Sequence, residues 1–263
     1  MTQDPQREDA AQRATSNFVA WARLLGTHSA RGEAFEIDGV PVASVGLAEA
    51  TPNAAYITRP LRDPARVIGE AMAYFDERAL PGAVIVREGI DPAAERACEA
   101  AGLRCVTTLP GMALTPLPTS LPAAPAWLEI RRDLDAGAHA VHVAVDAAGF
   151  GEPVEIARQV FGASMLDAPG YHGYTGFVDG DAVATAVLWA TSDVAGVFGV
   201  SVIASHRRRG IGEAMTWHAV REGAALGCTI AWLHASAMGR PLYERMGFQD
   251  VASYRVYARP GEG

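Results

Sequence analysis

The sequence contains no lysine. All 22 basic residues are arginine, a bias we attribute to codon usage in a GC-rich genome. Without lysine the Gly-Lys-Ser/Thr ending of a P-loop cannot occur. Cysteine is scarce as well: Cys98, Cys105 and Cys228 form an odd set without CxxC spacing. That argues against a disulfide framework or a zinc site, so no metal is expected and a reducing, cytoplasmic setting is. No apolar run is long enough to span a bilayer, and the polar stretch Met1 to Arg13 lacks the apolar core of a secretory signal. No membrane partner is therefore expected. Positive charge is in deficit. The formal net charge of −8 removes the general basic footprint of a nucleic-acid binder.

What is present suits a globular chain. Hydrophobic residues make up 49% and charged residues 20% of 263 residues, enough for one large domain or two small ones. Thr115 to Pro125 holds four prolines. Proline fixes φ and lacks a donor, so an extended linker is expected over 115–126, dividing 1–114 from 127–263.

The two halves resemble each other. Cys98-Glu99-Ala100-Ala101-Gly102-Leu103 aligns with Tyr243-Glu244-Arg245-Met246-Gly247-Phe248 at an offset of 145. The same offset pairs Gly82 with Gly227, Ile85 with Ile230, Glu77 with Glu222 and Arg62 with Arg207. Upstream, Asp38-Gly39-Val40-Pro41-Val42-Ala43-Ser44 matches Asp179-Gly180-Asp181-Ala182-Val183-Ala184-Thr185 at an offset of 141. Matches in the same order along both halves predict a duplicated α/β unit, hence two domains and not a solenoid.

In the second half, alternation predicts a strand over Leu128–Leu134. Helices follow over Ala136–Phe150 and Glu152–Leu166. Tyr174–Val178, the turn Asp179-Gly180 and Ala182–Ala190 read as a hairpin. Gly196–Ile203 is a strand, Ile211–Leu226 a helix stopped by Gly227, and Thr229–Ala235 a buried strand. A short helix over Gly239–Met246 and a strand over Val251–Ala258 complete a layered α/β domain with a mixed sheet. Cys228, near the start of a buried strand, is expected in the core.

Between the fourth strand and the long helix lies Ser205-His206-Arg207-Arg208-Arg209-Gly210-Ile211-Gly212. Backbone N–H groups in such a turn can converge on an anion, and the helix dipole behind them adds to the attraction. Gly210 and Gly212 remove side chains that would block a diphosphate, and the arginines bring positive charge to the rim. The segment is not a Gly-x-Gly-x-x-Gly dinucleotide fingerprint.

It resembles the acyl-CoA pyrophosphate loop of the GNAT superfamily, Arg/Gln-x-x-Gly-x-Gly/Ala, here Arg207, Gly210 and Gly212. Val200-Ser201-Val202 resembles the family strand that pairs with the pantetheine arm. Ser236 to Phe248, with Tyr-x-x-x-Gly-Phe at its end, looks like the family's second signature. The resemblance covers 128–258 in element order. It implies two GNAT-like domains in tandem, each with a mixed, mostly antiparallel sheet flanked by helices, 127–263 catalytic and 1–114 degenerate. It implies acetyl-CoA bound by Val200, Ser201, Val202, Arg207, Arg208, Arg209, Gly210, Ile211, Gly212, Glu213, Ser236 and Tyr243.

The implied activity is N-acetyl transfer to a primary amine of a small molecule or peptide by direct attack in a ternary complex. Val202 N–H is the position that would polarise the thioester carbonyl, and Tyr243 the general acid for the leaving thiolate. Ser236 stands where many relatives carry asparagine. The base has no matching residue: relatives often place Glu on the fourth strand, but Gly196-Val197-Phe198-Gly199 has no acid. Asp193, Glu152, Glu155, His142 and His172 remain candidates, acting through water. The first half loses the site, since Ala65, Val67 and Cys98 align with Gly210, Gly212 and Tyr243, and Pro64 enters the loop. Expected partners are the acceptor and, in a homodimer, a second copy. The alternative reading is a non-catalytic acyl-CoA-binding sensor or regulatory module.

Overall fold

The computed structural model describes residues 4–261. Residues 1–3 of the polar N-terminal stretch lie outside them. The first repeat runs α1 (Pro5–His28), β1 (Glu33–Ile37), β2 (Val40–Ser44), β3 (Ala54–Ile57), α2 (Pro64–Glu77), β4 (Ala83–Arg87), α3 (Pro92–Ala100) and β5 (Arg104–Leu114). The second runs β6 (Glu129–Arg132), α4 (Ala136–Phe150), α5 (Val154–Val160), β7 (Tyr171–Val178), β8 (Asp181–Thr191), β9 (Val194–Val202), α6 (Ile211–Ala225), β10 (Ile230–His234), α7 (Arg240–Arg245) and β11 (Gln249–Ala258).

The local signals explain these elements. Asp38-Gly39 and Asp179-Gly180 both take positive φ, 48° and 70° in one turn and 52° and 91° in the other, which suits a two-residue hairpin turn. They close the β1–β2 and β7–β8 hairpins at equivalent places in the repeat. The helix expected over Glu152–Leu166 is broken. α5 ends at Val160 and a 3-10 turn covers Ala163–Asp167. Gly162 sits at the break, where a Cβ would lie 2.8 Å from the His28 carbonyl oxygen. The close approach of the end of α1 interrupts the helix.

The fold is mixed α/β, with a mostly antiparallel sheet flanked by helices. The two sheets suggested by the repeat are joined into one of 11 strands, ordered β1-β2-β3-β4-β11-β5-β10-β9-β8-β7-β6. Among the described residues only β3–β4 and β9–β10 pair in parallel. The join is an exchange. β11 of the second repeat lies between β4 and β5 of the first, and β5 lies between β11 and β10. A buried cluster straddles the seam, taking Phe18, Tyr56 and Ile85 from one repeat and Trp232, Tyr254 and Val256 from the other.

Helices cover both faces of the second repeat. α6 packs Met215 and Val220 against Leu188, Val197 and Leu233 on one face. α1 and α4 lie on the other. Asn17 of α1 accepts from Trp232 Nε1 at 2.8 Å and donates to the Trp189 carbonyl at 3.0 Å. Trp21 stacks on Phe198 with ring centroids 4.4 Å apart. The segment 115–126 is coil, with Leu117 and Leu121 resting on the α6 side of the core. The Pro122 carbonyl accepts from Arg221 at 2.8 Å. Among the described residues no helix is long and apolar enough to cross a membrane.

Candidate active site

β9 and β10 pair only at Val194↔Ile230, Ala195↔Ala231 and Gly196↔Trp232. β9 continues to Val202 without meeting β10 again, so the two strands part. A bulge accompanies the parting. Thr185 faces Ser201 and Val187 faces Phe198, leaving Gly199 and Val200 opposite Ala186. Gly199 takes φ +54°, left-handed backbone that glycine adopts without a steric penalty, and the bulge bends the strand. Beyond it, Ile203 N–H donates to the Val183 carbonyl at 3.0 Å. By the alternation of an antiparallel ladder, Val202 N–H then turns away from β8, toward the opening.

The opening leads to the start of α6. Arg208 (φ +61°) and Gly210 (φ +79°) turn the chain into the helix. No side chain caps it. The four other helices of nine residues or more are each capped by an aspartate carboxylate: Asp4, Asp63, Asp91 and Asp135. Among the described residues α6 is the long helix whose first N–H groups have no such partner, and its dipole favours an anion there. A Cβ on Gly210 would meet nothing within 4 Å, and one on Gly212 would make only ordinary contacts with Val202 (3.8 Å) and Leu242 (4.0 Å). This bare backbone is a cradle that added side chains would fill, so these residues fit a diphosphate.

The arginines divide by role. Arg207 Nε donates to the Val202 carbonyl at 3.0 Å, and its Nη2 donates to the Gly149 carbonyl at 2.6 Å. Arg207 thus ties the loop to the ends of β9 and α4, where a free diphosphate contact was expected. Arg208 and Arg209 are exposed, with Arg209 5.5 Å above the Trp127 ring. Ile211 is buried and anchors the first turn of α6, while Glu213 is exposed there.

Ser236 and Tyr243 lie beyond β10, on the turn into α7 and on α7 itself. Ser236 Oγ accepts from Gly239 N–H at 3.1 Å, so part of its hydrogen-bonding capacity serves the turn. Tyr243 is buried against Phe248, with ring centroids 5.9 Å apart. Burial raises its pKa, and a hydrogen bond with Thr216 of α6 opposes the rise. The phenol therefore stays protonated at neutral pH.

The carboxylates proposed from sequence as bases lie elsewhere. Asp193 is at the opposite end of β9 and accepts from Arg13 at 2.6 Å and from Thr229 at 3.0 Å. Glu152 and Glu155 are exposed. His172 is buried, and burial and then Arg132 lower its pKa. His142 is buried on α4, its Nδ1 2.8 Å from Asp133 Oδ2 but without hydrogen-bond alignment.

One turn along α4 from His142 is Asp146, which the sequence reading passed over. It is 6% exposed and accepts from Thr185 Oγ1 at 3.0 Å. A Cβ on Gly199 would lie 3.4 Å from its Oδ1, so the carboxylate sits against the bulge. Burial pushes its pKa up to about 6, opposed by the His142 charge and the Thr185 hydrogen bond. A signal for it was present. His139, His142 and Asp146 stand at i, i+3 and i+7 on a helix otherwise rich in alanine and valine, and all three are buried. A polar stripe on the inward face of such a helix requires partners.

The first repeat lacks both halves of this arrangement. β3 stays paired with β4 to its last residue, Ile57↔Val86. From Ala54 to its partner Ala83 is 29 residues, whereas Val194 to Ile230 is 36, so the segment that would diverge is missing. At α2 the Asp63 carboxylate accepts from Arg66 N–H at 3.1 Å and fills the anion position. Val67 is buried, and Cys98, aligned with Tyr243, is a buried thiol whose pKa burial pushes up to about 12.

The profile of the acetyltransferase (GNAT) family matches residues 128–248. The chain carries a GNAT domain. No curated protein matches, but solved structures share the fold. A GCN5-related N-acetyltransferase from Kribbella flavida is 20% identical over 96% of each chain, with a TM-score of 0.71. A GCN5-related N-acetyltransferase from Sphaerobacter thermophilus is 20% identical over 74% of this chain and 68% of its own, with a TM-score of 0.58. A tandem GNAT protein from the clavulanic acid biosynthesis pathway is 13% identical over 83% of this chain and 77% of its own, with a TM-score of 0.60. The family and its fold support an acyl-transfer function. Among the described residues no cluster of His, Cys, Asp and Glu could hold a metal ion.

Proposed function

We propose that the chain is an N-acetyltransferase that transfers an acetyl group from acetyl-CoA to a primary amine of a small molecule or peptide. The observation that carries this reading is the uncapped start of α6 beside the diverging end of β9. The N–H groups at Gly210 to Glu213 would hold the diphosphate, with Arg208 and Arg209 at its rim. The free edge of β9 from Val200 to Val202 would take the pantetheine arm, and Ser236 would flank it. Bound acetyl-CoA supplies an activated thioester carbonyl. As the amine nitrogen bonds to that carbon, the C–S bond breaks. Val202 N–H would stabilise the oxygen, and the Tyr243 phenol would protonate the sulfur.

Because β3 does not diverge and Asp63 caps α2, the proposal includes one acetyl-CoA site per chain. Calorimetric titration of the intact chain with acetyl-CoA should therefore give a stoichiometry near one. A value near two would make the first repeat a working domain, and no binding would defeat the whole reading. Thiol release across a panel of amines then separates an enzyme from a non-catalytic acyl-CoA-binding module, which would bind without turnover.

Tyr243→Phe should reduce turnover by roughly 10²–10⁴-fold, the range of general acid catalysis, with acetyl-CoA affinity within a few-fold of the parent. The phenyl ring keeps the packing on Phe248, while the proton donor and its hydrogen bond with Thr216 are lost. A turnover loss below about threefold would make Tyr243 a packing residue and the protonation step another group's.

A further inference from the structure

Asp146 is a buried carboxylate that none of the roles above uses, and its surroundings lack a hydrogen. Thr185 Oγ1 lies 3.0 Å from Asp146 Oδ1, 2.9 Å from the Gly199 carbonyl oxygen and 2.8 Å from Ser201 Oγ. Each of these three contacts needs a hydrogen. The two hydroxyls bring one each, and an ionised carboxylate brings none. A proton on Asp146 completes the set: the carboxyl donates to Thr185, Thr185 donates to the Gly199 carbonyl, and Ser201 donates to Thr185. Ser201 also hydrogen-bonds Asp146, so the contacts outnumber the hydroxyl hydrogens and the network gains a hydrogen bond when Asp146 takes up a proton. It sits at the bulge of β9, on the residues where that strand leaves β10.

We propose that Asp146 is the final acceptor of the proton released by the attacking amine, with the buried hydroxyls of Ser201 and Thr185 relaying it at the β9 bulge. This rests on the acyltransferase reading. The ammonium nitrogen first gives one proton to Ser201 Oγ, which frees the lone pair that attacks; its second proton leaves once the N–C bond has formed and balances the one Tyr243 gives to sulfur. Ser201 passes its own to Thr185, Thr185 passes its own to Asp146, and the neutral carboxyl later returns the proton to solvent. This places the proton acceptor on α4, and it accounts for the absence of an acid on β9. The carboxylate is faced by His142 from its own helix, by Glu152 just past the helix end and by Tyr171 from β7. Hydroxyls alone reach it from β8 and β9.

The test uses the intact chain, acetyl-CoA, and two nucleophile probes, ethylamine and hydroxylamine. Ethylamine is protonated at neutral pH and needs a proton acceptor, whereas hydroxylamine is largely neutral and needs far less help. Asp146→Asn should cut thiol release with ethylamine by about 10²-fold and abolish the rise of rate through pH about 6. Release with hydroxylamine and the affinity for acetyl-CoA should stay within about threefold of the parent. Thr185→Val keeps the side-chain shape and should show the same selectivity in weaker form, because Ser201 also hydrogen-bonds Asp146 directly. Equal losses with both probes, or no loss with ethylamine, would overturn the proposal.

A second readout needs no turnover. The infrared band of a protonated carboxyl, isolated by difference against Asp146→Asn, should titrate near pH 6. A midpoint in the ordinary aspartate range near 4 would overturn the proposal. Failure of the parent to bind acetyl-CoA would instead remove the acyltransferase reading, and the infrared midpoint would still report the protonation of Asp146.

Discussion

Gly212→Val is expected to weaken acetyl-CoA binding at least about 100-fold while leaving the thermal midpoint within a few degrees of the parent. Residue 212 has ordinary φ, and an added Cβ would touch only Val202 and Leu242 at 3.8 and 4.0 Å. The fold therefore accepts a Cβ there. The anion does not, because the branched side chain would stand over the free N–H groups of the first turn. Losing one or two charge-assisted hydrogen bonds at about 1.5–3 kcal/mol each gives this magnitude. Gly210→Val should abolish binding too, but for mixed reasons. Its φ of +79° strains any β-branched residue by about 1–3 kcal/mol, so that variant should also lose stability. Calorimetry with acetyl-CoA, paired with thermal melts, separates the two effects. Binding by Gly212→Val as tight as the parent's would show that the start of α6 is not the diphosphate site.

The second large effect follows from the exchanged strands. Residues 127–263 produced alone should not behave as a stable monomer. Without the first repeat, β11 loses both of its neighbours, β4 and β5, and β10 loses one of its two. Trp232, fully buried in the intact chain, also loses Phe18 and the Asn17 side chain that accepts its indole N–H at 2.8 Å. Exposed strand edges and an uncovered aromatic cluster favour association over a folded monomer. Sedimentation should show oligomer or aggregate. Adding the separately produced 1–126 segment during refolding should restore a 1:1 complex. A monomeric 127–263 piece that melts within about 5 °C of the intact chain would mean that β11 re-pairs with β10 at little cost.

The stability of the chain should also report Asp146. Its pKa is about 6 in the folded protein, against the ordinary 3.8, so the folded state holds this proton more tightly than the unfolded state does. The associated stabilisation is fully present below pH 3.8 and is lost as pH rises through about 6. It amounts to about 3 kcal/mol, less any relaxation of the site. Asp146→Asn should not show this part of the pH dependence.

Much of the second repeat was legible because its signals are local. Asp179-Gly180 announces a tight turn, Gly227 a helix stop, and Gly210 with Gly212 a helix start bare enough for an anion. The duplicated hairpin was visible in the matched Asp-Gly turns. Asp146 was not identified, although the stripe His139, His142, Asp146 was there to be read. Periodicity places a carboxylate on the inward face of a helix, but it does not say which strand that face meets.

By itself the sequence determined the element types, the repeat and the family loop, because turn chemistry, helix stops and glycine spacing act over a few neighbouring residues. Tertiary structure alone decided three things. It paired β11 with β4 and β5, a choice between strands of nearly equal pattern made by the burial of Trp232, Tyr254 and Phe18 at the seam. It turned Arg207 onto the carbonyls of Val202 and Gly149, because these otherwise free acceptors converge where β9 and α4 end. And it set Asp146 against the β9 bulge, where burial raises the pKa of its carboxyl.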